Sequence, residues 1–156
     1  MTERLSIRPA EERDREFIGG LVSSLMEFGS PTWDDPGANA PAYREALADA
    51  VRGQGPEATV LLAEAADGTR LGFISLGVVN DVAGAARGHV RDLAVTAEAR
   101  RTGVGSALMT AAEAWTRDRG LPALSLNVWS TNEPAQAFYR RLGYCAERVC
   151  MVKRIT

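Results

Sequence analysis

Apolar residues recur every three or four positions in two stretches of the first third of the chain. Such spacing is typical of helices that bury one face. The two predicted helices cover residues 11–28 and 43–51. A short alternating strand over residues 5–8 precedes them and ends at Pro9, while residues 32–41 carry Asp, Pro and Gly and are predicted to form a loop.

The rest of the chain alternates between β-rich runs and helical spacing. Strands are predicted at residues 59–65, 71–79, 89–95, 123–129 and 149–155. Helices are predicted at residues 103–119 and 134–142. The Asp67-Gly68 pair and the small residues 80–88 indicate turns between strands. This order predicts an α/β or α+β fold, a mixed sheet with helices on its faces, as one domain over residues 1–156.

The loop after the strand at residues 89–95 suits an anion. Residues 100–106 read Arg-Arg-Thr-Gly-Val-Gly-Ser and open a predicted helix. Glycines let the backbone approach a ligand, and the first N–H groups of a helix are unpaired and lie at the positive end of its dipole. Neither the P-loop lysine nor the third glycine of a dinucleotide fingerprint is present. Taken alone, the loop also fits a glycine turn before an ordinary surface helix.

A second motif follows one strand later. Residues 132–144 read Asn-Glu-Pro-Ala-Gln-Ala-Phe-Tyr-Arg-Arg-Leu-Gly-Tyr. Together the two stretches resemble the GCN5-related N-acetyltransferase (GNAT) superfamily. In that family an Arg/Gln-x-x-Gly-x-Gly/Ala loop holds the pyrophosphate of acetyl-CoA, and an Asn-x-x-Ala-x-x-Phe-Tyr-x-x-x-Gly-Phe/Tyr pattern packs along its pantetheine arm. The first half of the chain agrees with the family in pattern only.

The resemblance implies a mostly antiparallel mixed sheet with splayed central strands and helices on both faces. It also implies acetyl-CoA as co-substrate, with contacts from Leu93, Ala94, Val95, Arg100, Arg101, Thr102, Gly103, Val104, Gly105, Ser106, Asn132, Ala135, Phe138 and Tyr139. Backbone N–H groups of the first three residues would polarise the thioester carbonyl if the fourth and fifth strands separate. Ser106 and Asn132 could instead serve only as polar residues at the start of a helix, where their side chains cap backbone N–H groups.

Tyr139 is the strongest candidate for a catalytic side chain. The matching tyrosine of the family lies beside the cofactor sulfur and can protonate the leaving thiolate. A phenol with a pKa near 10 can serve a thiolate whose conjugate acid has a pKa of about 8.5. The alternative is a core aromatic residue whose hydroxyl is satisfied locally.

His89 is the only histidine and is the candidate general base. It stands four residues before Leu93, where several members of the resembled family keep a glutamate or histidine base. A pKa of about 6.5 suits that task, and side chains at 89, 91, 93 and 95 share one face if the strand is regular. A half-exposed histidine at a strand end is the alternative. Arg91 and Asp92 are weaker candidates that we expect to be paired or solvated.

The acceptor site is predicted less sharply. In the resembled family the end of the first helix and the following loop overhang the acceptor, and acidic and aromatic residues suit a cationic amine. The same residues also fit a solvated loop. Family members that acetylate ribosomal proteins typically carry a Leu-Glu-Val-Arg run where this chain has Leu-Asn-Val-Trp, which disfavours peptide amino-terminal acetylation. The acceptor candidates are Glu27, Trp33, Asp34, Asp35, Asn127 and Trp129.

Composition narrows the partners and the compartment. A net charge of −2 and a pI near 5.5 argue against nucleic acid. No apolar run approaches the roughly 20 residues of a membrane span, and no secretory signal is visible, so we expect a cytoplasmic protein without a membrane partner. Cys145 and Cys150 are expected to be buried, reduced thiols, and no metal site is expected because His89 has no companions.

The sequence therefore predicts an acetyl-CoA-dependent N-acetyltransferase in which an amine attacks the thioester directly in a ternary complex. The preferred acceptor is a small cationic amine, and a protein amino group is the alternative. A non-catalytic acyl-CoA-binding or sensing domain is the rival from another class. Homodimers are common in the resembled family.

Overall fold

A five-stranded mixed sheet with helices on both faces forms the fold. The computed structural model describes residues 4–28 and 39–155. The strands are β1 (Ser6–Pro9), β2 (Ala58–Glu64), β3 (Arg70–Asn80), β4 (Ala86–Val95) and β5 (Leu124–Leu126). The helices are α1 (Arg15–Gly20), α2 (Val22–Leu25), α3 (Ala40–Ala50), α4 (Val104–Asp118) and α5 (Glu133–Arg141). The predicted fold class is confirmed.

The sheet order is β1-β2-β3-β4-β5. The first four strands pair antiparallel with their neighbours, whereas β4 and β5 pair parallel. Parallel neighbours need a crossover connection, and α4 supplies it. This connection places the start of α4 just after the end of β4, next to the pair formed by β4 and β5.

Two apolar cores hold the helices to the sheet. One contains Ile18, Leu47 and Phe73 and lies under α1, α2 and α3. The other contains Ile74 and Leu108 and lies under α4, with α5 packed against it. Phe73 and Ile74 belong to opposite cores because successive side chains of a strand point to opposite faces.

The first predicted helix is interrupted. Residues 11–28 form a 3₁₀ turn at Glu12–Asp14 followed by α1 and α2, which are separated at Leu21. Gly19 and Gly20 precede the break, and glycine has low helix propensity. None of the helices in the described part of the chain is long and apolar enough to cross a membrane.

Two predictions for the C-terminal segment are wrong. Residues 144–155 have no regular secondary structure, so the strand predicted at residues 149–155 is absent from the described residues. Alternation fixes which side chains share a face, but the backbone of a strand also needs a hydrogen-bonding partner. Cys145 and Cys150 are free as expected, but both are exposed rather than buried.

A buried ion network links the first three strands of the sheet. The Asp14 side chain is fully buried and accepts hydrogen bonds from Arg8 (2.7 and 3.1 Å), Arg70 (2.7 Å) and the Glu11 N–H (2.8 Å). Burial alone would raise the pKa of Asp14, but these donors outweigh it and hold the pKa well below its usual range. Arg8 also pairs with Glu64, so the network joins β1, β2 and β3.

Candidate active site

A cleft opens where β4 and β5 separate. The two strands pair at Gly88 with Leu124, at His89 with Ser125 and at Val90 with Leu126, and no further pair between them occurs in the described residues. β5 ends there, while β4 continues to Val95. The predicted separation of these strands is therefore present, and the second half of β4 forms one wall of the cleft.

The alternating direction of backbone N–H groups along β4 shows which of them face this cleft. The Thr96 N–H donates to the Leu71 carbonyl on the β3 side (2.9 Å). Hydrogen-bonding direction alternates along an antiparallel strand, so the Ala94 N–H also faces β3, whereas those of Leu93 and Val95 face the cleft. Two backbone donors thus lie along the cleft wall.

A β-bulge divides β4. Ser75 pairs with Asp92 and Leu76 pairs with Val90, which leaves Arg91 as the extra residue. The bulge shifts the alternation, so the expectation that side chains 89, 91, 93 and 95 share one face is wrong.

Core membership shows where each half of β4 points. Val90, Leu93 and Val95 pack with the α4 core, and Ala94 packs with the core of α1, α2 and α3. Adjacent side chains before the bulge point to opposite faces, so His89 is opposite to Val90 and faces the α1–α3 side. His89 and Leu93 therefore lie on different faces of the sheet.

The glycine loop presents backbone donors at the end of this wall. Arg101 and Gly103 both have left-handed backbone conformations, with φ of 63° and 89°. For arginine this conformation is strained, and such strain is concentrated at functional sites. The first bond into α4 runs from the Ala107 N–H to the Gly103 carbonyl (3.0 Å). The earlier N–H groups of Val104, Gly105 and Ser106 therefore stay open at the positive end of the helix.

The two sequence motifs meet in space. A Cβ placed on Gly105 would lie 3.4 Å from the Phe138 ring and 3.9 Å from the Val95 side chain, so a residue of each predicted element converges at the start of α4. Asn132 caps α5, because its side chain accepts from the Ala135 N–H at 3.1 Å. The predicted capping role of Asn132 is confirmed. Thr102 braces the loop by donating its hydroxyl to the Ala99 carbonyl at 2.5 Å.

Tyr139 lies on α5 within an aromatic cluster. Its ring makes edge contacts with Phe138, with centroids 5.1 Å apart, and with Tyr144, with centroids 6.1 Å apart. Burial raises the pKa of Tyr139 to about 12. Its hydroxyl makes no hydrogen bond with another described residue, whereas the Tyr144 hydroxyl donates to Glu113 (3.1 Å). Tyr139 therefore stays protonated across the usual pH range and has a donor to offer.

His89 is oriented by β5. Its Nδ1 lies 2.8 Å from the Ser125 hydroxyl, which in turn contacts the Gly88 carbonyl at 3.3 Å. The Ser125 hydroxyl has one proton, which it donates either to Nδ1 or to the Gly88 carbonyl, so the contact fixes the position of the imidazole ring and is compatible with either neutral tautomer. Burial, followed by the charges of nearby arginines led by Arg91, lowers the pKa of His89, so the ring is neutral at pH 7.

A third polar group ties α3 to the bulge, and its α3 and β3 members were not anticipated from the sequence. Asp92 accepts from the Tyr43 hydroxyl on α3 at one carboxylate oxygen and from Ser75 on β3 at the other (2.8 Å). Burial and then the neighbouring carboxylate raise the pKa of Tyr43, which keeps it a donor. Because both oxygens are occupied, Asp92 is paired as expected. From the sequence, residue 43 is predicted only as the first residue of the helix over residues 43–51.

The profile of the Acetyltransferase (GNAT) family matches residues 20–144, which span the cleft, the loop and α5. The chain belongs to this GNAT family. It is 30% identical over 142 residues to aminoglycoside N(6')-acetyltransferase type 1 of Klebsiella aerogenes, covering 88% of each chain. It is 32% identical over 116 residues to the enzyme of the same name from Stenotrophomonas maltophilia, covering 72% of each. The structure of a candidate acetyl transferase from Pyrococcus furiosus superposes with a TM-score of 0.78 at 27% identity, covering 97% of this chain and 100% of that one.

This GNAT chain is thus an N-acetyltransferase, and the remaining predicted site residues concern its acceptor. Glu27 lies 3.5 Å from the Arg100 guanidinium, and both side chains are about half exposed. Trp33, Asp34 and Asp35 lie outside the described residues.

The two acceptor candidates after β5 are exposed. Asn127 and Trp129 follow the last residue of β5, with Trp129 49% exposed. Trp129 therefore does not have the core role usual for a strand tryptophan. This exposed side chain lies three residues after the end of β5, the strand that borders the cleft.

Proposed function

We propose that this GNAT chain transfers the acetyl group of acetyl-CoA to a primary amine of a small molecule, by direct attack within a ternary complex. The cleft between β4 and β5 carries the proposal, since one wall has the inward-facing N–H groups of Leu93 and Val95 and its end has the loop at Gly103. No covalent acetyl-enzyme is part of the proposal. The backbone donors, the anion loop and the buried tyrosine are three features that this chemistry needs together.

The loop suits the pyrophosphate of the co-substrate. The open N–H groups of Val104, Gly105 and Ser106 lie at a helix start, where anions are favoured, and Arg100 and Arg101 add positive charge. The pantetheine arm would then extend along β4, with its amides near the free donors of that strand. Phe138 and Ala135 of α5 would lie on its other side.

His89, two backbone N–H groups of β4 and Tyr139 each have a separate role in the proposed reaction. The attacking amine is an ammonium ion in water, and the neutral imidazole of His89 can take up its proton, directly or through a water. The N–H groups of Leu93 and Val95 stabilise negative charge that develops on the thioester oxygen. The Tyr139 hydroxyl donates a hydrogen bond to the departing sulfur, which leaves as the thiolate. Its raised pKa makes a hydrogen bond to the thiolate more favourable than complete proton transfer.

Two observations favour a small-molecule acceptor. The relatives named above acetylate, by their names, aminoglycosides, which are small amines. In addition, the residue directly after β5 is Asn127, in place of the glutamate typical of ribosomal-protein acetyltransferases of the resembled family. Glu27, Asp34 and Asp35 stay predicted contacts of the acceptor ammonium.

Release of coenzyme A thiol in the presence of an amine panel tests the proposal. The panel contains aminoglycosides, diamines, amino acids, amino sugars and a peptide with a free amino terminus, each with the acetylated product assayed by mass. We expect acetyl-CoA to release coenzyme A thiol when a small amine of the panel is present. If acetyl-CoA binds but no amine of the panel causes thiol release, the result favours a non-catalytic acyl-CoA-binding domain. If only the peptide causes thiol release, the result favours protein acetylation.

Acetyl-CoA is expected to stabilise the folded chain. A ligand at 100 times its Kd adds about 2.7 kcal/mol, which raises Tm by several degrees in a domain of this size. The double variant Arg100→Ala with Gly103→Ala should lose most of this shift, because it removes a charge and forces an alanine into a left-handed conformation.

The matched control for that measurement is Gly68→Ala. Gly68 has nearly the same backbone conformation, with φ of 87°, but it lies in the turn between β2 and β3. It should lower the Tm of the free protein to a similar extent and keep the full shift with acetyl-CoA. An equal shift in both variants would remove the loop from the binding site.

His89→Gln is expected to change the pH dependence of kcat/KM. The lowered pKa of His89 places the acidic limb of the free enzyme below about pH 6.5, because activity falls when the base becomes protonated. The glutamine variant should lose this limb, lose rate near neutrality and partly recover at high pH, where free amine is abundant. Ser125→Ala should reduce kcat less and keep the limb. An unchanged profile in His89→Gln, measured with the same acceptor, would assign His89 to structure.

A further inference from the structure

Arg91 lies flat across the neighbouring strand. As the extra residue of the bulge it has no ladder partner, and its side chain crosses β3 over Gly77. A Cβ on Gly77 would lie 2.6 Å from Cζ and 2.7 Å from Nε of Arg91, and closer still to Nη2. Real Cβ contacts are not that short, so only glycine at position 77 lets the guanidinium occupy this place.

Among the residues that the structure describes, no carboxylate neutralises the charge of this guanidinium. No carboxylate of the described residues lies within 4.0 Å of Arg91, whereas Arg87 on the same strand pairs with Asp81 (2.9 Å) and Glu147 (2.8 Å). Asp92 adjoins Arg91 in sequence, but its two oxygens accept from Tyr43 and Ser75. Arg91 is exposed, so its donors are accessible to a ligand.

Arg91 lines a pocket between α3 and the sheet. The pocket has a volume of about 190 Å³, with Tyr43, Thr59, Ser75 and Asp92 among its polar lining residues. Its α3 wall consists mainly of small and apolar residues. Arg91 and Asp92 come directly before Leu93, whose N–H faces the cleft, so the pocket adjoins the reacting end of β4 on the face that also carries His89.

We propose that Arg91, seated over Gly77, binds an anionic group of the acceptor, so that the acceptor is a small primary amine that also carries a carboxylate or a phosphate. Guanidinium forms paired hydrogen bonds with either group. An acceptor that carries only ammonium groups meets an uncompensated like charge here, which disfavours it. This inference rests on the proposed acetyl transfer to a small amine and names its acceptor class.

Paired acceptors test the inference in the thiol-release assay. Each pair contrasts a member that carries the anion with one that lacks it: amino acids with their carboxamides, and an amino sugar phosphate with the free amino sugar. An aminoglycoside serves as the anion-free polycation, and wild type and variant are compared with the same acceptor. Arg91→Ala should raise the KM of the anionic member by about 10- to 100-fold, the range for hydrogen bonds to charged groups, and leave that of its neutral analogue and of acetyl-CoA nearly unchanged. The carboxylate and phosphate pairs show which anion is preferred.

Gly77→Ala and Arg87→Ala make the test specific. Gly77→Ala keeps the arginine but displaces its guanidinium, so it should reproduce the KM effect; the Tm shift with acetyl-CoA confirms that the variant is folded. Arg87→Ala removes a compensated charge from the same strand and should leave the preference for the anionic member unchanged. If Arg91→Ala leaves that preference unchanged, or if the wild type prefers the anion-free members, the inference is wrong while the proposed acetyl transfer stands. Absence of thiol release with every amine contradicts the proposed function itself.

Discussion

Replacing Tyr139 by phenylalanine is expected to lower kcat by about 10²-fold or more, since a positioned proton donor is typically worth about 10² to 10⁴ in rate. The hydroxyl makes no hydrogen bond with another described residue, and the ring stays in its contacts with Phe138 and Tyr144 in the variant. Packing and the KM for acetyl-CoA should therefore change little. Steady-state kinetics with a saturating acceptor, together with Tm, check both parts.

Tyr144→Phe is the matched control for this result. It removes a hydroxyl from the same aromatic cluster, but that hydroxyl donates to Glu113. We expect a small loss of stability and a nearly unchanged kcat. Because burial raises the pKa of Tyr139 to about 12, the wild-type rate should show no alkaline limb from this residue below about pH 11. Equal kcat values for Tyr139→Phe and wild type, with chemistry shown to limit the rate, would assign Tyr139 to packing.

Asp14→Asn is expected to produce the largest loss of stability, about 3 to 5 kcal/mol, because it leaves Arg8 and Arg70 without the buried carboxylate that both contact. For a domain of this size that corresponds to a Tm lower by roughly 6 to 20 °C. Thermal or denaturant unfolding at pH 7 measures it. The acetyl-CoA contacts of the folded variant should be unaffected, since the network joins β1, β2 and β3, whereas the cleft lies between β4 and β5.

The control and the pH dependence make this second prediction specific. Asp49→Asn removes a carboxylate that pairs with Arg15 at 2.6 Å but is 54% exposed, and exposed pairs contribute at most about 1 kcal/mol. The pKa of Asp14 is lower in the folded than in the unfolded chain, so its stabilisation is present above about pH 4 and is lost as the pH falls further. The difference between wild type and Asp14→Asn should therefore shrink in acid. A difference that is constant from pH 7 to pH 3 would contradict this assignment.

The sequence by itself determined the family and most of the elements. Helical and alternating spacing predicted α3, β2, β3, β4, α4 and α5 to within a few residues, because burial of one face imposes a period that is visible in the chain. The loop at Gly103 and the motif at Phe138 are local in sequence, since each needs a backbone conformation or a cap from consecutive residues. Those two motifs were enough to indicate a GNAT acetyltransferase and the position of its anion loop.

Only the tertiary structure decided which side chains meet. A single extra residue at Arg91 moved His89 to the face opposite Leu93, and alternation in the sequence cannot reveal such a bulge because it depends on pairing with Ser75 and Leu76. The short contact of Arg91 with Gly77 and the bond from Tyr43 to Asp92 likewise join residues distant in the chain. The β-rich run at residues 149–155 predicted a strand, but it could not show that a ladder partner is missing. Local periodicity fixes a face, whereas register, bulges and partners are set by the neighbouring strand.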